Sequence, residues 1–343
     1  MIFCGDLSIP NMEIGKKLIK NIKDLNIFSD ETVVINLEGV LLKEDPVSCF
    51  WRVYNSIIAI GIKDCCKQLI FNLANNHIYD YPEQIKQMIS ILNEHNIKFF
   101  GLRTENYLPL VIEDDNNIKY AMFGHCWRVY TKTNRNNKTK DRIIDLPYRK
   151  FVLLIRKYIK DHPDERVICC FHWNFDLEEM PLPMYKELAR DLIDSGVYAV
   201  IGNHSHVVQQ TEMYKEHVIA YGLGNFFMPD GFFFNGTLRY GETSHTTDIL
   251  RILDDRCSIY RCRTDTPDNC LQLSGELEVG EIEYNKVNYR REYKRRRIKK
   301  LVPLFYSYKS HLCDVLEFLT VLKIRTVRFI KKTLDRIKMR NKV

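Results

Sequence analysis

Short apolar runs alternate with helix-like stretches along most of the chain. The runs are rich in Val, Ile, Phe, Tyr and Cys and end in turn-forming residues, which is typical of buried strands. They predict strands at residues 1–5, 32–37, 68–74, 97–101, 118–124, 166–172, 198–203 and 217–225. The stretches between them predict helices over 13–24, 55–66, 82–95, 147–160 and 183–195. This alternation favours an α/β domain built around a largely central sheet.

The pattern changes after residue 228. Residues 229–288 carry aromatic and glycine clusters and short β-like pieces, so we predict a capping β segment of the same domain, which then covers 1–288. In residues 289–343 apolar residues recur at helical spacing between Lys and Arg, which predicts a basic amphipathic helical tail.

Composition and charge narrow the class of protein. The chain has no apolar run of about 18 residues and no charged-then-apolar leader, so we expect neither a membrane anchor nor a secretion signal. Its 11 cysteines show no zinc-like spacing, and we expect reduced, mostly buried thiols of a cytosolic protein. Residues 290–343 contain 18 Lys and Arg against 4 Asp and Glu, whereas the rest contains 33 against 40. An acidic body therefore carries a basic tail.

Unusual polar residues follow the predicted strands. They are Asp6, Asn36, Glu38, Asn75, Asn76, His77, His172, His204, His206 and Asn225. Each alone has an ordinary explanation, because Asp or Asn after a strand often forms a turn or a helix cap and a single His can be a core residue. In open α/β sheets, however, ligands bind outside the carboxyl ends of strands, and a shared metal site explains the whole set.

The residue types indicate which ions and which reaction such a site would serve. Imidazole, carboxylate and amide oxygen without thiolate suit one or two divalent ions such as Mn, Fe or Zn. Two ions bridged by a carboxylate about 3.5–4 Å apart polarise a phosphoryl oxygen and activate a water for attack. A nearby histidine that binds no metal can protonate the leaving oxygen.

The motifs resemble a known family. In order along the chain they are Asp6, NLEG, NNH, HW, GNHSH and YGLGNF, and they resemble the bacterial capsule synthesis protein CapA family, also called the poly-γ-glutamate biosynthesis family. The resemblance covers roughly residues 1–235. That family belongs to the calcineurin-like metallophosphoesterase superfamily, so the resemblance implies a β-sandwich flanked by helices and a dinuclear metal site.

The resemblance also implies a role for each polar residue. One ion would be held by Asp6, Glu38 and His206. The other would be held by Glu38, Asn76, His172 and His204, so that Glu38 bridges the two ions. His77 would act as the catalytic general acid instead of binding metal. Asn75 and Asn225 would contact the ligands or the substrate, and we expect contacts of the same kind from Asn36 and Ser8, which lie beside the predicted ligands in the sequence.

Three positions do not follow the family pattern. The superfamily usually has a histidine two residues after the first aspartate, where this chain has Ser8, so the first ion would have only three protein ligands. The family commonly has a glycine after HW, where Asn174 either narrows the pocket or adds a hydrogen-bond donor. His125 ends a predicted strand without a counterpart in the family, and a structural role is favoured for it.

These observations leave three functional hypotheses. The first is a metal-dependent phosphoesterase in capsule, polysaccharide or poly-γ-glutamate biosynthesis, with an anionic polymer or phosphoester as substrate. The second is a non-catalytic metal- or polyanion-binding accessory subunit of a polymer synthase, which Ser8 favours. A nuclease ranks third, because the polymer-synthesis motifs match over a longer span.

The basic tail favours a membrane partner over nucleic acid. Leu, Val, Ile and Phe are interleaved with Lys and Arg there, which suits an interfacial helix on an anionic membrane. Aromatic platforms for stacking bases are sparse in the tail, so nucleic acid is an unlikely partner. The tail can also be a solvated charged face or a flexible linker, and against this alternative we favour a cytoplasmic protein whose residues 290–343 contact the inner face of the membrane.

Overall fold

The computed structural model describes residues 1–46, 52–103, 107–133, 143–253, 256–265, 269–282, 284–298, 317–327 and 329–330. The strands are β1 Ile2–Leu7, β2 Thr32–Leu37, β3 Val40–Leu42, β4 Tyr54–Ser56, β5 Gln68–Asn72, β6 Lys98–Phe100, β7 Leu110–Glu113, β8 Lys119–Cys126, β9 Glu165–His172, β10 Ala199–Asn203, β11 Thr211–Tyr214, β12 His217–Ala220, β13 Asn225–Phe227, β14 Thr246–Leu253, β15 Arg256–Asp265 and β16 Cys270–Glu278. The helices are α1 Met12–Leu25, α2 Ile85–Glu94, α3 Arg128–Thr133, α4 Tyr148–Asp161, α5 Pro183–Ile193, α6 Phe233–Gly236 and α7 Lys286–Ile298.

The strands are divided between two large sheets. The first has the order β16-β15-β14-β1-β2-β5-β6, with β13 also paired to β1, and the second has the order β11-β12-β10-β9-β8-β7. Strands β1, β2, β5 and β6 are parallel to one another, as are β8, β9, β10 and β12. The single central sheet predicted from the alternation of strands and helices is therefore wrong. The β-sandwich flanked by helices that the family resemblance implied is the fold observed.

Alternating side chains build three hydrophobic layers. Between the sheets, Phe3 and Val34 of the first sheet belong to the same buried cluster as Ile168 and Ile201 of the second. The alternate side chains of the first sheet pack with α1 and α2, and those of the second sheet pack with α4 and α5. Each parallel strand is buried on both faces, which explains its continuous apolar sequence.

The carboxyl ends of the central strands of the two sheets meet at one edge of the sandwich. The backbone N–H of His204, just after β10, donates to Asp6 Oδ2 in β1 at 3.1 Å. A register shift between Cys4 and Asp6 interrupts the β1–β2 pairing there. Such irregularities reorient side chains, and here the irregularity precedes Asp6 at the strand end.

The predicted elements are found in the structure within a few residues, with two exceptions. The predicted helix over 55–66 is instead the end of β4 followed by a 3₁₀ helix, Ile57–Cys65, whose β-branched isoleucines and Gly61 disfavour an α-helix. The predicted strand over 217–225 is split into β12 and β13. Gly222 and Gly224 lie in the gap, and Gly224 has a φ of +76°, which a strand does not accommodate.

Strands β14, β15 and β16 form an antiparallel extension of the first sheet. β14 pairs with β1, and β15 and β16 follow as hairpin partners. Within the predicted amphipathic tail, α7 and residues 317–327 and 329–330 are helical, while 299–316, 328 and 331–343 lie outside the described residues. In the part of the chain that is described, no helix is both long and apolar enough to span a bilayer.

Candidate metal centre

Two buried carboxylates face each other at the ends of β1 and β2. Asn36 lies between them, and its side-chain amide donates to Asp6 Oδ1 at 2.8 Å and to Glu38 Oε2 at 2.9 Å. Burial raises the pKa of Asp6 and the charge of Glu38 raises it further, while the neighbouring histidines lower it. Asn36 thus offsets part of the repulsion between two carboxylates that are shielded from water.

Asn75 holds the backbone on both sides of Glu38. Its amide donates to the Leu37 carbonyl at 2.6 Å, and its side-chain oxygen accepts from the Gly39 N–H at 3.1 Å. Through these two hydrogen bonds Asn75 orients Glu38. The predicted contact of Asn75 with a ligand residue is therefore made to the backbone beside Glu38 and not to its carboxylate.

Glu38 has one oxygen available for a cation. Oε1 is buried and accepts no hydrogen bond from the described residues, although His172 Nε2 lies 3.5 Å away and His77 Nε2 lies 3.8 Å away. A buried carboxylate oxygen without a partner is costly, and a bound divalent ion would offset that cost. The residues present therefore fit a metal ion.

Three further donor atoms converge beside this oxygen. His172 Nε2 lies 2.7 Å from Asn76 Oδ1 and 3.0 Å from His204 Nδ1. Burial lowers the pKa of His172 to about 3, and it also lowers the pKa of His204, so both imidazoles are neutral near pH 7. Neutral imidazole is the form that binds metal.

His206 lies on the other side of Asp6. Its Nδ1 is 2.9 Å from Asn225 Oδ1 and 3.3 Å from Asp6 Oδ2, so Asn225 contacts a predicted ligand. His204 and His206 have φ values of +87° and +55°, a conformation that costs a non-glycine residue about 1–2 kcal/mol. Strain of this kind is concentrated at functional sites, where the surrounding structure enforces it.

His77 is beside the carboxylates without entering the cluster of donor atoms. Its Nδ1 lies 2.7 Å from Asp80 Oδ2, and its Nε2 lies toward Glu38 Oε1. Burial alone would lower the pKa of His77, but the charge and hydrogen bond of Asp80, with Glu38 and Asp176, raise it to about 9. The ring is therefore protonated at neutral pH.

Two predicted or candidate residues contribute no ligand. The Ser8 hydroxyl is buried and donates to the Tyr54 carbonyl at 2.7 Å, so Ser8 stabilises the loop behind the site. His125 lies in the outer core of the second sheet, where its Nε2 is 2.8 Å from the Leu146 carbonyl. Burial lowers the pKa of His125 to about 4, which agrees with a structural role.

Asn174, which stands where the family commonly has a glycine, holds the loop after β9 in place through its side-chain hydrogen bonds. Its φ of +72° is in the left-handed region, which explains why a glycine suits this position. Its side-chain oxygen accepts from the Leu182 N–H at 2.9 Å, and its amide donates to Gln209 Oε1 at 3.2 Å. Of the two alternatives, the added hydrogen-bond donor is the one observed.

Sequence reasoning missed one acidic residue of the site. Asp176 Oδ1 lies 3.0 Å from His204 Nε2. In each of two groups of residues, the possible ligand atoms lie within 4.8 Å of one another. One group is Asp6, Glu38 and His172, and the other is Asp176, His204 and His206. Asp176 lies on the loop after β9, four residues beyond His172 and outside the motifs that mark the family, so only its distance from His204 in the fold identifies it. The ligand sets implied by the resemblance remain predictions.

Two solved structures match this chain at low similarity. A putative 5′-nucleotidase from Staphylococcus aureus in complex with alpha-ketoglutarate matches with a TM-score of 0.44 and 12% identity, over 86% of this chain and 58% of that one. The protein TT1561 of Thermus thermophilus matches with a TM-score of 0.42 and 9% identity, over 75% of this chain and 96% of that one. TM-scores below 0.5 carry no functional conclusion.

Two curated relatives are similar in sequence. The capsule biosynthesis protein CapA of Bacillus anthracis is 29% identical over 172 residues, which are 47% of this chain and 40% of that protein. The PGA biosynthesis protein CapA of Bacillus subtilis strain 168 is 27% identical over 166 residues, 47% of this chain and 43% of that protein. The matches span less than half the length of these relatives.

The family model described as bacterial capsule synthesis protein PGA_cap matches residues 14–230. This span is more than half of the chain and contains Glu38, Asn76, His172, His204 and His206. The chain therefore belongs to the bacterial capsule synthesis protein PGA_cap family.

Proposed function

We propose that this protein is a metal-dependent phosphoesterase that acts in the biosynthesis of a capsule or a related anionic polymer. The observation that carries the proposal is the convergence of Glu38 Oε1, Asn76 Oδ1, His172 Nε2 and His204 Nδ1 at one edge of the sandwich. Two divalent ions, Mn, Fe or Zn, suit this donor set, with Asp6 and His206 completing the first site. Bound there, they would supply a Lewis acid and an activated water.

The protein's own residues bind, orient and move protons. Glu38, held by Asn36 and Asn75, would contribute its carboxylate to both predicted positions, and burial of the site excludes bulk water. His77 Nε2 lies toward the carboxylates while Asp80 holds Nδ1, so Nε2–H is the proton that His77 gives to the leaving oxygen. The substrate class is an anionic polymer or another phosphoester.

Hydrolysis of p-nitrophenyl phosphate and bis(p-nitrophenyl) phosphate, with Mn²⁺, Fe²⁺ or Zn²⁺ and with EDTA, tests the proposal. We expect metal-stimulated turnover in the wild type and its loss in Asn76→Ala and His204→Ala. The matched control is His162→Ala, because His162 is a half-exposed histidine at the end of α4 that contacts Glu165. Equal turnover by the wild type and both site variants would refute the assigned site.

The position of Ser8 favours a second candidate function. Its hydroxyl donates a hydrogen bond to a backbone carbonyl, so the first ion would have only Asp6, Glu38 and His206 as protein ligands. A protein with one ion could serve as a metal- or polyanion-binding accessory subunit of a polymer synthase without turnover. Elemental analysis that finds one ion per chain, together with no hydrolysis of any phosphoester, would support this candidate. DNA and RNA among the substrates would test the nuclease hypothesis.

The tail supports a proposal about location, namely contact with an anionic membrane surface through residues 290–343. In the helical part of 317–330, Val321 and Ile324 pack against the body. Large apolar side chains remain exposed on the same segment, namely Phe318, Leu319, Leu322, Val327, Phe329 and Ile330. Since the tail carries 18 Lys and Arg against 4 Asp and Glu, an anionic bilayer complements both its charge and its apolar face.

Sedimentation with phosphatidylcholine vesicles, with or without phosphatidylglycerol, tests this contact. We expect binding that requires the anionic lipid, weakens with salt and falls in Phe318→Ser combined with Leu322→Ser. The control is Leu153→Ser, because Leu153 is also exposed but lies on α4 in the body. Binding that ignores lipid charge, or is retained by the double variant, would refute the proposal.

A further inference from the structure

Asp176 contacts the outer nitrogen of a predicted metal ligand. His204 Nδ1 lies 3.0 Å from His172 Nε2, on the side where the donor atoms converge. Its other ring nitrogen, Nε2, lies 3.0 Å from Asp176 Oδ1. The imidazole of His204 is therefore held between the donor cluster and a carboxylate.

The chemistry of these groups fixes the tautomer of His204. The 3.0 Å contact has an ion-pair distance without the angles of a good hydrogen bond, and because an ionised carboxylate has no proton to offer, it favours the tautomer in which the nitrogen facing Asp176 carries the proton. In a neutral imidazole the other nitrogen, Nδ1, then has the lone pair. That nitrogen is the one beside His172 Nε2, where a ligand is needed.

The loop that carries Asp176 is fastened to the loop that carries the histidines. The Leu177 N–H donates to the Ser205 carbonyl at 2.8 Å, between His204 and His206 in sequence. The Asn174 side chain bonds Leu182 and Gln209 and so fixes the start of the same loop. The position of Asp176 is thus determined by hydrogen bonds that do not involve its own side chain.

Burial distinguishes Asp176 from the predicted ligands. Asp6 and Glu38 are fully buried, whereas the Asp176 side chain is 53% exposed. Its ligand atom also lies within 4.8 Å of those of His204 and His206, so direct binding of an ion is the competing role. The 3.0 Å contact uses Nε2 of His204, and this leaves Nδ1 for the donor cluster.

We infer that Asp176 is a positioning residue that orients His204 and sets its tautomer for metal binding, an inference that rests on the proposed function. Carboxylates that accept from the outer N–H of a metal-binding histidine raise its basicity, and losing them typically weakens metal affinity 10–100-fold. The residue acts through His204 and has no contact with the reacting atoms.

Calorimetric titration of Mn²⁺ into the metal-free protein tests the inference. Asp176→Ala should weaken the affinity of the site by about 10–100-fold without changing the number of ions bound at saturation. Asp176→Asn should lie between Asp176→Ala and the wild type, because its amide oxygen still accepts from Nε2–H. The matched control is Glu179→Gln, which removes an exposed carboxylate of the same segment that contacts Arg296. It should bind Mn²⁺ as the wild type does.

Two results would overturn the inference. Wild-type affinity in Asp176→Ala would show that the contact has no effect on His204. A variant that saturates with one ion fewer would show that Asp176 is itself a ligand. The melting temperature of each metal-free variant checks folding, and Co²⁺ absorption provides a second readout in a folded variant. A wild type that binds Mn²⁺ but hydrolyses no phosphoester would refute the proposed function alone.

Discussion

Asn36 is the residue whose removal should most directly expose the electrostatic cost of the site. One side-chain amide donates to both Asp6 and Glu38, at 2.8 and 2.9 Å, and all three residues are almost completely buried. Asn36→Ala removes both bonds, together with the bond that Asn36 Oδ1 accepts from Asn72, and leaves two carboxylates facing each other without the Asn36 amide between them. In the metal-free protein, we expect the free energy of unfolding to fall.

The size of the loss follows from the charge of the acceptors. A hydrogen bond to a charged group contributes about 1.5–3 kcal/mol, so losing these two should cost about 3–6 kcal/mol. Asn72→Ala is the matched control, because Asn72 donates to Asn36 Oδ1 at 3.1 Å and accepts from the Ala74 N–H at 3.1 Å. These bonds join neutral groups, and we expect their loss to cost about 1–2 kcal/mol.

Urea unfolding in EDTA, followed by tryptophan fluorescence and circular dichroism, measures both variants. The dependence of the unfolding free energy on urea should not change, since neither variant alters the surface exposed on unfolding. The difference between the variants should shrink as the pH falls, because protonation of a carboxyl removes the charge that Asn36 compensates. If Asn36→Ala lowers the free energy of unfolding no more than Asn72→Ala does at pH 7, the hydrogen bonds from Asn36 to the two carboxylates do not stabilise the fold as argued.

Three other predictions concern separate parts of the fold. Burial lowers the pKa of Lys186 to about 8, below its unfolded value, so this lysine should make stability rise between about pH 8 and 10. Lys186→Met should lack that rise in melting temperature. Gly202→Ala should cost about 3 kcal/mol in urea unfolding, because its Cβ would lie 2.0 Å from a backbone carbonyl, whereas Gly241→Ala has open space and should cost almost nothing. Asn75→Ala should weaken Mn²⁺ binding about 10-fold in calorimetry, while Ser8→Ala should leave the affinity unchanged.

Local pattern was sufficient to identify most strands and the polar residues that follow them. A buried parallel strand needs a continuous apolar run. A polar residue directly after such a run therefore indicates a position at the carboxyl end of a strand. Asp6, His172 and His204 were found this way, and the structure brings all three to one edge of the sandwich. Such signals depend only on neighbours in the sequence, so they can be read without knowing the sheet order.

Pairing between strands is not local, and this is where the pattern failed. Nothing in the apolar runs of β8 and β9 distinguishes a second sheet from a continuation of the first, because both sheets are buried on both faces. The antiparallel pairing of β14 with β1 joins residues about 250 positions apart. The family resemblance rests on motifs spread along most of the chain. It implied the two-sheet sandwich, which the hydrophobic periodicity did not predict.

Roles that depend on hydrogen bonds to the backbone were equally hidden in the sequence. Asn75 and Asn76 are adjacent and identical in type, yet Asn75 binds the backbone around Glu38 while Asn76 lies beside His172. Which of the two enters the cluster is set by the 3₁₀ turn that begins at Asn76. A sequence motif therefore marks the site but does not separate ligands from the residues that hold them.

Two of the three positions that depart from the family pattern, Ser8 and Asn174, have the same physical outcome. Ser8 gives its hydroxyl to the Tyr54 carbonyl, and Asn174 gives its side chain to Leu182 and Gln209. Both side chains stabilise loops behind the site, and neither adds a metal ligand. The predicted first ion would then depend on three protein groups and the second on four, and the role inferred for Asp176 acts through His204, a predicted ligand of the second ion. The two positions should therefore differ in affinity, which makes the number of ions bound depend on the metal concentration.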